Sequence, residues 1–262
     1  MTKTLVNYSV QKNIAVIELF NPPVNGYSFD MFKQLDEAVI KARFDKDVHV
    51  IVLTGVGEKF FCAGADIEML KGAEPNFKYN FCLHANETLL RLEHTPKLVI
   101  AALNGHCVGG GLEIAMAADI RIAKSKCGKL GLPEVALGVL AGTGGTQRLG
   151  RILGKSKAIE LMISGDVFDE ETALEMGLIN AIYPAENFMG QIFDYAEKFC
   201  PPNKASMAVG HIKRSVQSGV DLPLESGLAL ERELQQRLFT SADAKEGIRS
   251  FLDKTPPQFS GN

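Results

Sequence analysis

The sequence predicts an α/β fold that is followed by a helical C-terminal region. Apolar strand-like segments alternate with helix-like segments over residues 1–200, and the chain beyond Pro201-Pro202 has an almost wholly helical pattern. Alternation of this kind is typical of a largely parallel sheet whose strands are joined by right-handed crossovers. We therefore expect an α/β core over residues 1–200 and a helical region over residues 201–262.

The N-terminal segments predict a hairpin and a first helix. Residues 4–11 and 13–21 have the patterning of paired strands, with a turn near Lys12-Asn13. Residues 30–45 have helical spacing, and four apolar side chains are expected on one face of this helix: Met31, Leu35, Val39 and Phe44.

Two buried strands give the clearest strand signals in the chain. Residues 47–55 (DVHVIVLTG) and 97–105 (KLVIAALNG) are nearly continuous apolar runs that end in glycine. A run without alternation is typical of a strand that is buried on both faces of a parallel sheet. Further helices are expected over 65–72, 77–95, 112–119, 146–154, 156–165, 169–178, 186–200, 203–219, 223–239 and 242–253, and further strands over 120–124 and 179–184.

Composition argues against several classes of protein. The net charge is −3 and no run of Lys or Arg stands out, so neither nucleic acid nor an anionic membrane is expected as the main partner. No apolar run approaches the length of a membrane span, and the N-terminus lacks the apolar stretch of a secretory signal. The five cysteines are an odd number without a CxxC pair, which favours reduced thiols and a cytoplasmic location.

Two segments share one pattern: an apolar strand, a glycine-containing loop and a helix with an acid in its first turn. They are residues 50–69, with Asp66, and residues 98–116, with Glu113 and the triplet Gly109-Gly110-Gly111. The first amides of a helix have no partner within it, and two amides from separate loops can stabilise negative charge on a carbonyl oxygen. The glycines suit close packing of helix against strand equally well, and the pattern alone leaves both interpretations open.

Glu113 and Glu134 each stand among apolar neighbours. These are Val108, Leu112, Ile114, Ala115 and Met116 for Glu113, and Leu130, Leu132, Val135 and Leu137 for Glu134. Apolar surroundings raise the proton affinity of a carboxylate, which suits general acid–base catalysis. An acid in a first helical turn can also serve only the helix dipole, which lowers its proton affinity. The presence of two such acids favours a catalytic pair beside the glycine loops.

Other kinds of site lack their motifs. The glycines complete neither a GxGxxG nor a GxxxxGK[ST] loop, and the chain contains no HExxH or GxSxG sequence. The five histidines and the acids show no metal-ligand spacing, so no metal is expected. His106, Cys62 and Cys107 adjoin the two loops, where a packed histidine and small buried thiols are the expected roles.

Four segments resemble the enoyl-CoA hydratase (crotonase) family, in the family's order and over essentially the whole chain: FFCAGADI, NGHCVGGGLEIAMAADIRIA, LGLPEVALGVLAGTGGTQRL and LMISGDVFDEETALEMGLIN. The resemblance implies a crotonase-like spiral of ββα turns with a helical C-terminal trimerisation region, in a homotrimer or a dimer of trimers. It also implies reversible addition of water across the 2,3-double bond of a trans-2-enoyl-CoA to give a 3-hydroxyacyl-CoA, as in fatty acid β-oxidation.

The same resemblance assigns roles to individual residues. The amides of Ala65 and Gly110 would form the oxyanion hole for the thioester carbonyl, Glu134 would handle the proton at C2, and Glu113 would position and deprotonate the water. No metal or redox cofactor is implied, because coenzyme A is part of the substrate, and Lys59 is a local candidate for contact with its 3′-phosphate. The implied substrate-binding residues are Ala63, Gly64, Ala65, Asp66, Ile67, Gly109 and Gly110.

Both glutamates are present, as in the hydratases of this family, but three positions near the implied acyl pocket depart from the common pattern. Ala141 replaces the proline of P-G-x-G-G-T-Q-R, Leu132 stands where glutamine commonly precedes Pro-Glu, and Asn25-Gly26-Tyr27 replaces N-A-L. These departures leave the acyl group open. The alternatives are isomerisation, decarboxylation or hydration of a cyclic or dienoyl-CoA on the same fold, acyl-CoA binding without turnover, and RNA binding, which the net charge disfavours.

Overall fold

A computed structural model describes residues 3–261. Over these residues the strands are β1 (Val6–Gln11), β2 (Ile14–Leu19), β3 (Val50–Gly55), β4 (Phe60–Cys62), β5 (Leu98–Leu103), β6 (His106–Val108), β7 (Ile120–Lys124), β8 (Leu130–Gly131), β9 (Val167–Phe168) and β10 (Ala181–Tyr183). The helices are α1 (Phe29–Phe44), α2 (Ile67–Lys71), α3 (Pro75–Glu93), α4 (Gly110–Met116), α5 (Gly145–Leu153), α6 (Lys155–Ser164), α7 (Glu170–Glu175), α8 (Phe188–Glu197), α9 (Ser206–Gly219), α10 (Leu224–Phe239) and α11 (Ala242–Asp253), with a 3₁₀ helix at Glu134–Leu137.

Within residues 3–261 the larger sheet has six strands in the order β1-β2-β3-β5-β7-β10. β1 and β2 form an antiparallel hairpin whose turn residues, Lys12 and Asn13, have φ of 49° and 66°, as a type I′ turn requires. All other neighbours in this sheet are parallel. β3 and β5 lie side by side and are buried along their whole length, which confirms the prediction from their unbroken apolar runs.

A smaller sheet in the order β4-β6-β8-β9 was not predicted, because strands of two or three residues have no periodic pattern. From β3 to β8 the chain alternates between the sheets: β3, β5 and β7 belong to the larger sheet, and β4, β6 and β8 to the smaller one. Helical segments follow each pair of strands. The chain therefore winds as a spiral of strand–strand–helix turns, the architecture that was expected.

The larger sheet is covered on both faces. One apolar cluster joins it to α1 and α3 through side chains such as Met31, Phe32 and Leu89, and the other joins it to α8 through Phe188 and Ile192. One expectation for α1 was wrong: Met31, Leu35 and Val39 are buried, but Phe44 is 78% exposed. Phe44 is the last residue of the helix, where the chain turns away from the sheet, so Ala42 is the last buried residue of that face.

The helices α9, α10 and α11 occupy the C-terminal region that the pattern assigned to helices. α9 packs on the core through Lys213, whose buried ammonium pairs with Asp119 at 2.9 Å and donates to the carbonyls of Leu92 and Lys97. The division of the chain at residue 200 stays a prediction. Among the residues from 3 to 261, none of the helices has both the length and the apolar character that crossing a membrane requires.

Candidate active site

The two glycine loops predicted to converge are in contact. Because β3 and β5 are parallel neighbours, the segment after β4 and the segment after β6 emerge on the same side of the molecule. A side chain placed on Gly64 would lie 3.3 Å from the amide nitrogen of Gly110, and one on Gly109 would lie 3.8 Å from Cα of Gly64. Gly64 and Gly109 have φ of +92° and +56°, which glycine adopts at no steric cost.

The amides of Ala65 and Gly110 have no hydrogen-bond acceptor within residues 3–261, and the same holds for their neighbours Gly64 and Gly111. The other adjoining amides are occupied: Asp66 N–H donates to the carbonyl of Tyr27, and Gly109 N–H donates to the carbonyl of Gly131. Two unpaired amides on adjoining loops are the arrangement that stabilises negative charge on a carbonyl oxygen.

The other two glycines of the region serve close packing. A Cβ on Gly111 would lie 2.1 Å from the carbonyl oxygen of Cys62, so α4 rests directly on β4. A Cβ on Gly110 would lie 2.2 Å from the ring and hydroxyl of Tyr27. The two interpretations that the sequence left open therefore both apply: Gly111 allows close packing, and Gly110 combines close packing with an unpaired amide.

Glu113 is buried at 1% exposure on the first turn of α4. Its Oε1 accepts hydrogen bonds from the amides of Thr143 and Gly145, both at 2.7 Å. Burial raises the pKa of this carboxyl to about 7, against the lowering effect of the Gly145 and Thr143 amides and of the Arg148 charge; the charge of Glu134 raises it further. A carboxyl that titrates near neutrality suits proton transfer.

Glu134 opens the 3₁₀ helix and faces the same place. A Cβ on Gly109 would lie 2.9 Å from its Oε1, while its Oε2 is buried without a hydrogen-bond partner within residues 3–261. Burial raises the pKa of Glu134, partly offset by its own backbone amide and by the charge of Lys78. The expected apolar neighbours were partly wrong: Leu130 and Leu132 are buried, but the short helix turns Val135 and Leu137 outward to solvent.

The remaining predicted residues lie around this centre in supporting positions. The carboxylate of Asp66 accepts from the amides of Glu68 and Met69 and so caps α2. Ile67 is exposed at the start of that helix, and Ala63 N–H donates to the carbonyl of Val24. Lys59 is exposed in the turn between β3 and β4, and its contact with the 3′-phosphate of coenzyme A stays a prediction.

The thiols and the histidine beside the loops have structural roles. Cys62 and Cys107 are fully buried, and burial raises the pKa of Cys62 to about 12, which keeps the thiol protonated. His106 accepts a hydrogen bond at Nδ1 from the amide of Lys129. Within residues 3–261 no group of three or more His, Cys, Asp and Glu side chains could hold a metal ion, and the prediction that no metal takes part remains a prediction.

A family model described as enoyl-CoA hydratase/isomerase matches residues 9–262, nearly the whole chain. The chain belongs to the enoyl-CoA hydratase/isomerase family. The structure thus carries the fold of this family, and the two glycine loops and both glutamates lie where three of the four family-like segments of the sequence meet in space.

Relatives of known sequence and structure agree with this family. A curated relative from Bacillus subtilis (strain 168), named "Probable enoyl-CoA hydratase", is 36% identical over 258 residues, with 98% of each chain covered. The "Short-chain-enoyl-CoA hydratase" of Clostridium acetobutylicum is 36% identical over 242 residues, with 92% of each covered. A crystal structure of "Enoyl-CoA hydrates" from Geobacillus kaustophilus HTA426 matches with a TM-score of 0.96 and 43% identity, covering 100% of this chain and 98% of that one.

In this family member two further residues belong to the site, and their roles were missed in the sequence. Tyr27 is 3% exposed, and its hydroxyl lies 3.3 Å from the hydroxyl oxygen of Thr143, whose amide binds Glu113. The only signal was that Tyr27 and the segment with Thr143 depart from the common family pattern. No local pattern could have shown that the two side chains touch.

A small apolar cavity adjoins Glu134. Its volume is about 250 Å³, and it lies between the 3₁₀ helix and α6. Apart from Glu134 and Thr146, only apolar side chains line it, and they are Leu132, Val135, Val139, Leu140, Ala141, Ile159, Met162 and Ile163. Leu132 and Ala141, two of the positions that depart from the family pattern, thus line the space next to the half-buried carboxyl of Glu134.

Proposed function

We propose that this protein is an enoyl-CoA hydratase that adds water reversibly across the 2,3-double bond of a trans-2-enoyl-CoA to give a 3-hydroxyacyl-CoA. The observation that carries the proposal is the meeting of two unpaired amides, at Ala65 and Gly110, with the buried carboxyl of Glu113 and the half-buried carboxyl of Glu134. The names of the relatives that cover nearly the full chain support the same reaction.

The amides act on the thioester carbonyl. Addition of water at C3 places negative charge on the carbonyl oxygen, as in an enolate, and two preorganised N–H donors stabilise that charge more than they stabilise the neutral carbonyl. Removing one such donor typically costs about 3 kcal/mol of transition-state stabilisation. Close contact between the loops at Gly64 and Gly110 fixes both donors before substrate arrives, so no reorganisation is needed during the reaction.

The carboxyls divide the proton transfers. Glu113, held by two amides, positions the water and removes its proton as it attacks C3. Glu134, whose Oε2 has no partner within residues 3–261, delivers the proton to C2. Burial raises the pKa of both groups, which makes Glu113 a stronger base and raises the proton affinity of Glu134. Coenzyme A enters as part of the substrate, and the reaction as written uses no other cofactor.

The retention of both carboxyls favours hydration over the other reactions of this fold. A double-bond isomerase or a decarboxylase needs no base for an attacking water, and a protein that only binds acyl-CoA needs neither carboxyl. Burying the carboxyl of Glu113 and half-burying that of Glu134 without a catalytic use would cost stability. Binding to RNA finds no support, since the net charge is −3.

Activity is expected to fall as the pH drops through about 7, because Glu113 must be ionised to act as a base and burial raises its pKa to about 7. The expected kcat/KM decreases about tenfold per pH unit below that value. Protonation of a carboxyl whose pKa is raised by folding favours the folded state, so the loss is separable from acid unfolding. Circular dichroism at each pH supplies the control, and a kcat/KM that stays flat one unit below about pH 7 contradicts the assignment.

The cavity beside Glu134 supports an apolar acyl group of short to medium length. Its volume of about 250 Å³ lies just below the roughly 300–1,000 Å³ of pockets for drug-sized ligands. No Lys or Arg lines it, so a second carboxylate at the end of the acyl chain would be buried without a partner.

A panel of enoyl-CoA thioesters tests both the reaction and this preference. Loss of the ultraviolet absorbance of the conjugated thioester reports hydration, with product identity checked by mass spectrometry. We expect straight or branched apolar chains to exceed chains that end in a carboxylate by about 10- to 100-fold in kcat/KM, as expected for 1–3 kcal/mol of unpaired burial. The absence of hydration across the panel would refute the proposed function, and equal rates would refute only the role of the cavity.

We also propose a homotrimer or a dimer of trimers in the cytoplasm. Large apolar side chains stand exposed on the C-terminal helices, including Val220, Leu224, Phe251 and Leu252, and such patches suit contact between subunits. The five cysteines carry no disulfide within residues 3–261, which supports a reducing compartment.

A further inference from the structure

Tyr27 touches all three parts of the proposed catalytic centre, through a different part of the residue in each case. Its backbone contacts the loop of Ala65. Its N–H donates to the carbonyl of Gly64 and its carbonyl accepts from the amide of Asp66, both at 2.9 Å. These two bonds lie on either side of Ala65, so they fix the direction of the amide between them.

The ring of Tyr27 supports the second amide donor. A Cβ on Gly110 would lie 2.2 Å from Cε1 and from the hydroxyl oxygen, so the ring lies in contact with the Cα of Gly110. The ring packs edge-to-face against Phe32, with centroids 5.0 Å apart, and at a tilt of 54° against Phe81, with centroids 5.9 Å apart. A buried ring in close contact with two other aromatic rings and with a backbone is held in one position.

The hydroxyl of Tyr27 reaches the loop that holds the base. It lies 3.3 Å from Oγ1 of Thr143, which is buried, and the amide of Thr143 donates to Oε1 of Glu113 at 2.7 Å. Arg148 holds the other side of the same residue by donating to the carbonyl of Thr143. Burial is the main cause that raises the pKa of Tyr27 well above its usual value, and the charge of Glu113 raises it further. The phenol therefore stays neutral.

We propose that Tyr27 is a positioning residue for the hydration reaction, which sets the amides of Ala65 and Gly110 and the carboxylate of Glu113 in one geometry. The inference rests on the proposed function, since it assigns these three groups to one reaction. It explains why a tyrosine stands at a position where an aliphatic side chain could fill the space but could not bond to Thr143. The hydroxyl is the part that couples the base to the two amides.

Tyr27→Phe removes the hydroxyl and keeps the ring and the backbone bonds. We expect kcat to fall about fivefold to tenfold, as for the loss of one hydrogen bond, with KM within about twofold of the wild-type value. The pKa of Glu113 should rise by on the order of half a unit, because an amide donor lowers the pKa of a carboxylate and a looser Thr143 donates less well. This pKa is measured by ¹³C NMR of the side-chain carboxyls, with the Glu113 resonance assigned by its loss in Glu113→Gln.

Variants of the partner and a matched control separate positioning from general stability. Thr143→Val should lower kcat and raise the pKa of Glu113 as Tyr27→Phe does, and the double variant Tyr27→Phe/Thr143→Val should be no worse than either single variant. Thr143→Ser keeps a hydroxyl, so its kcat and the pKa of its Glu113 should equal the wild-type values. Tyr8→Phe deletes a buried hydroxyl that has no partner within residues 3–261 and lies on β1, and it should leave kcat and the pKa unchanged. The thermal midpoint of Tyr27→Phe should fall by no more than about 4 °C.

The outcomes are distinct. If the wild type hydrates enoyl-CoA but Tyr27→Phe leaves kcat and the pKa of Glu113 unchanged, the positioning role is refuted and the hydratase stands. If both single variants lower kcat but the double variant multiplies the losses, the hydroxyl pair is not coupled and the proposal also fails. If the wild type hydrates nothing, the proposed function fails, and the NMR titration still decides whether Tyr27 sets the state of Glu113.

Discussion

Replacing Glu134 by Gln is expected to lower kcat for enoyl-CoA hydration about 10³-fold, and Glu113→Gln is expected to do the same. A glutamine in place of Glu134 cannot deliver a proton to C2, and a glutamine in place of Glu113 cannot take one from water. Both changes keep the shape of the side chain. The measurement is steady-state hydration of the best thioester of the panel, with product formation followed to detect residual turnover.

The local contacts predict that these losses reflect chemistry and not folding. In Glu113→Gln the side-chain carbonyl oxygen can still accept from the amides of Thr143 and Gly145, and the neutral amide avoids the burial of a charge. We therefore expect Glu113→Gln to unfold at the same or a higher temperature than the wild type. Glu171→Gln, on an exposed position of α7, is the matched control and should retain full activity.

The results for the two variants distinguish hydration from isomerisation and from acyl-CoA binding without turnover. If hydration survives both changes, the carboxyls are not its acid and base, and the assignment collapses. If Glu113→Gln retains double-bond isomerisation while Glu134→Gln loses it, the second carboxyl alone serves C2 and the protein is an isomerase. Thioester binding that survives both changes, in a wild type without turnover, points to a binding protein.

The parts of the structure that the sequence predicted are those with a long local signature. β3 and β5 each bury six residues in a row, and such runs identify a central parallel strand without further information. Glu113 was found because its neighbours along α4 are apolar, and every residue of this short helix is buried. Sequence and structure agree here because local pattern and tertiary environment coincide.

The parts that the sequence missed depend on contacts between distant segments. Val135 and Leu137 resemble core residues in the sequence, yet the 3₁₀ helix exposes them while Glu134 in the same turn points inward. Tyr27 and Thr143 are 116 residues apart, and their contact joins the segment that precedes α1 to the segment that precedes α5. Family resemblance located the acids and the amides, but the tyrosine that joins them differs from the family pattern and could be found only in the structure.

Gly111→Ala is expected to destabilise the protein by about 2–3 kcal/mol and to lower kcat, because a Cβ there would lie 2.1 Å from the carbonyl oxygen of Cys62. A backbone carbonyl in β4 cannot rotate aside as a side chain can, so α4 must move and carry the amide of Gly110 away from that of Ala65.

Gly150→Ala is the matched control: Gly150 is also a glycine within a helix, and a Cβ there meets nothing within 4 Å. This second change should stabilise the protein by about 0.5–1 kcal/mol and leave kcat unaltered, since alanine favours a helix over glycine. Urea unfolding followed by circular dichroism gives the free energy of unfolding of both variants. If Gly111→Ala stabilised the protein as Gly150→Ala does, α4 would not be in close contact with the carbonyl of Cys62, and the prediction would be wrong.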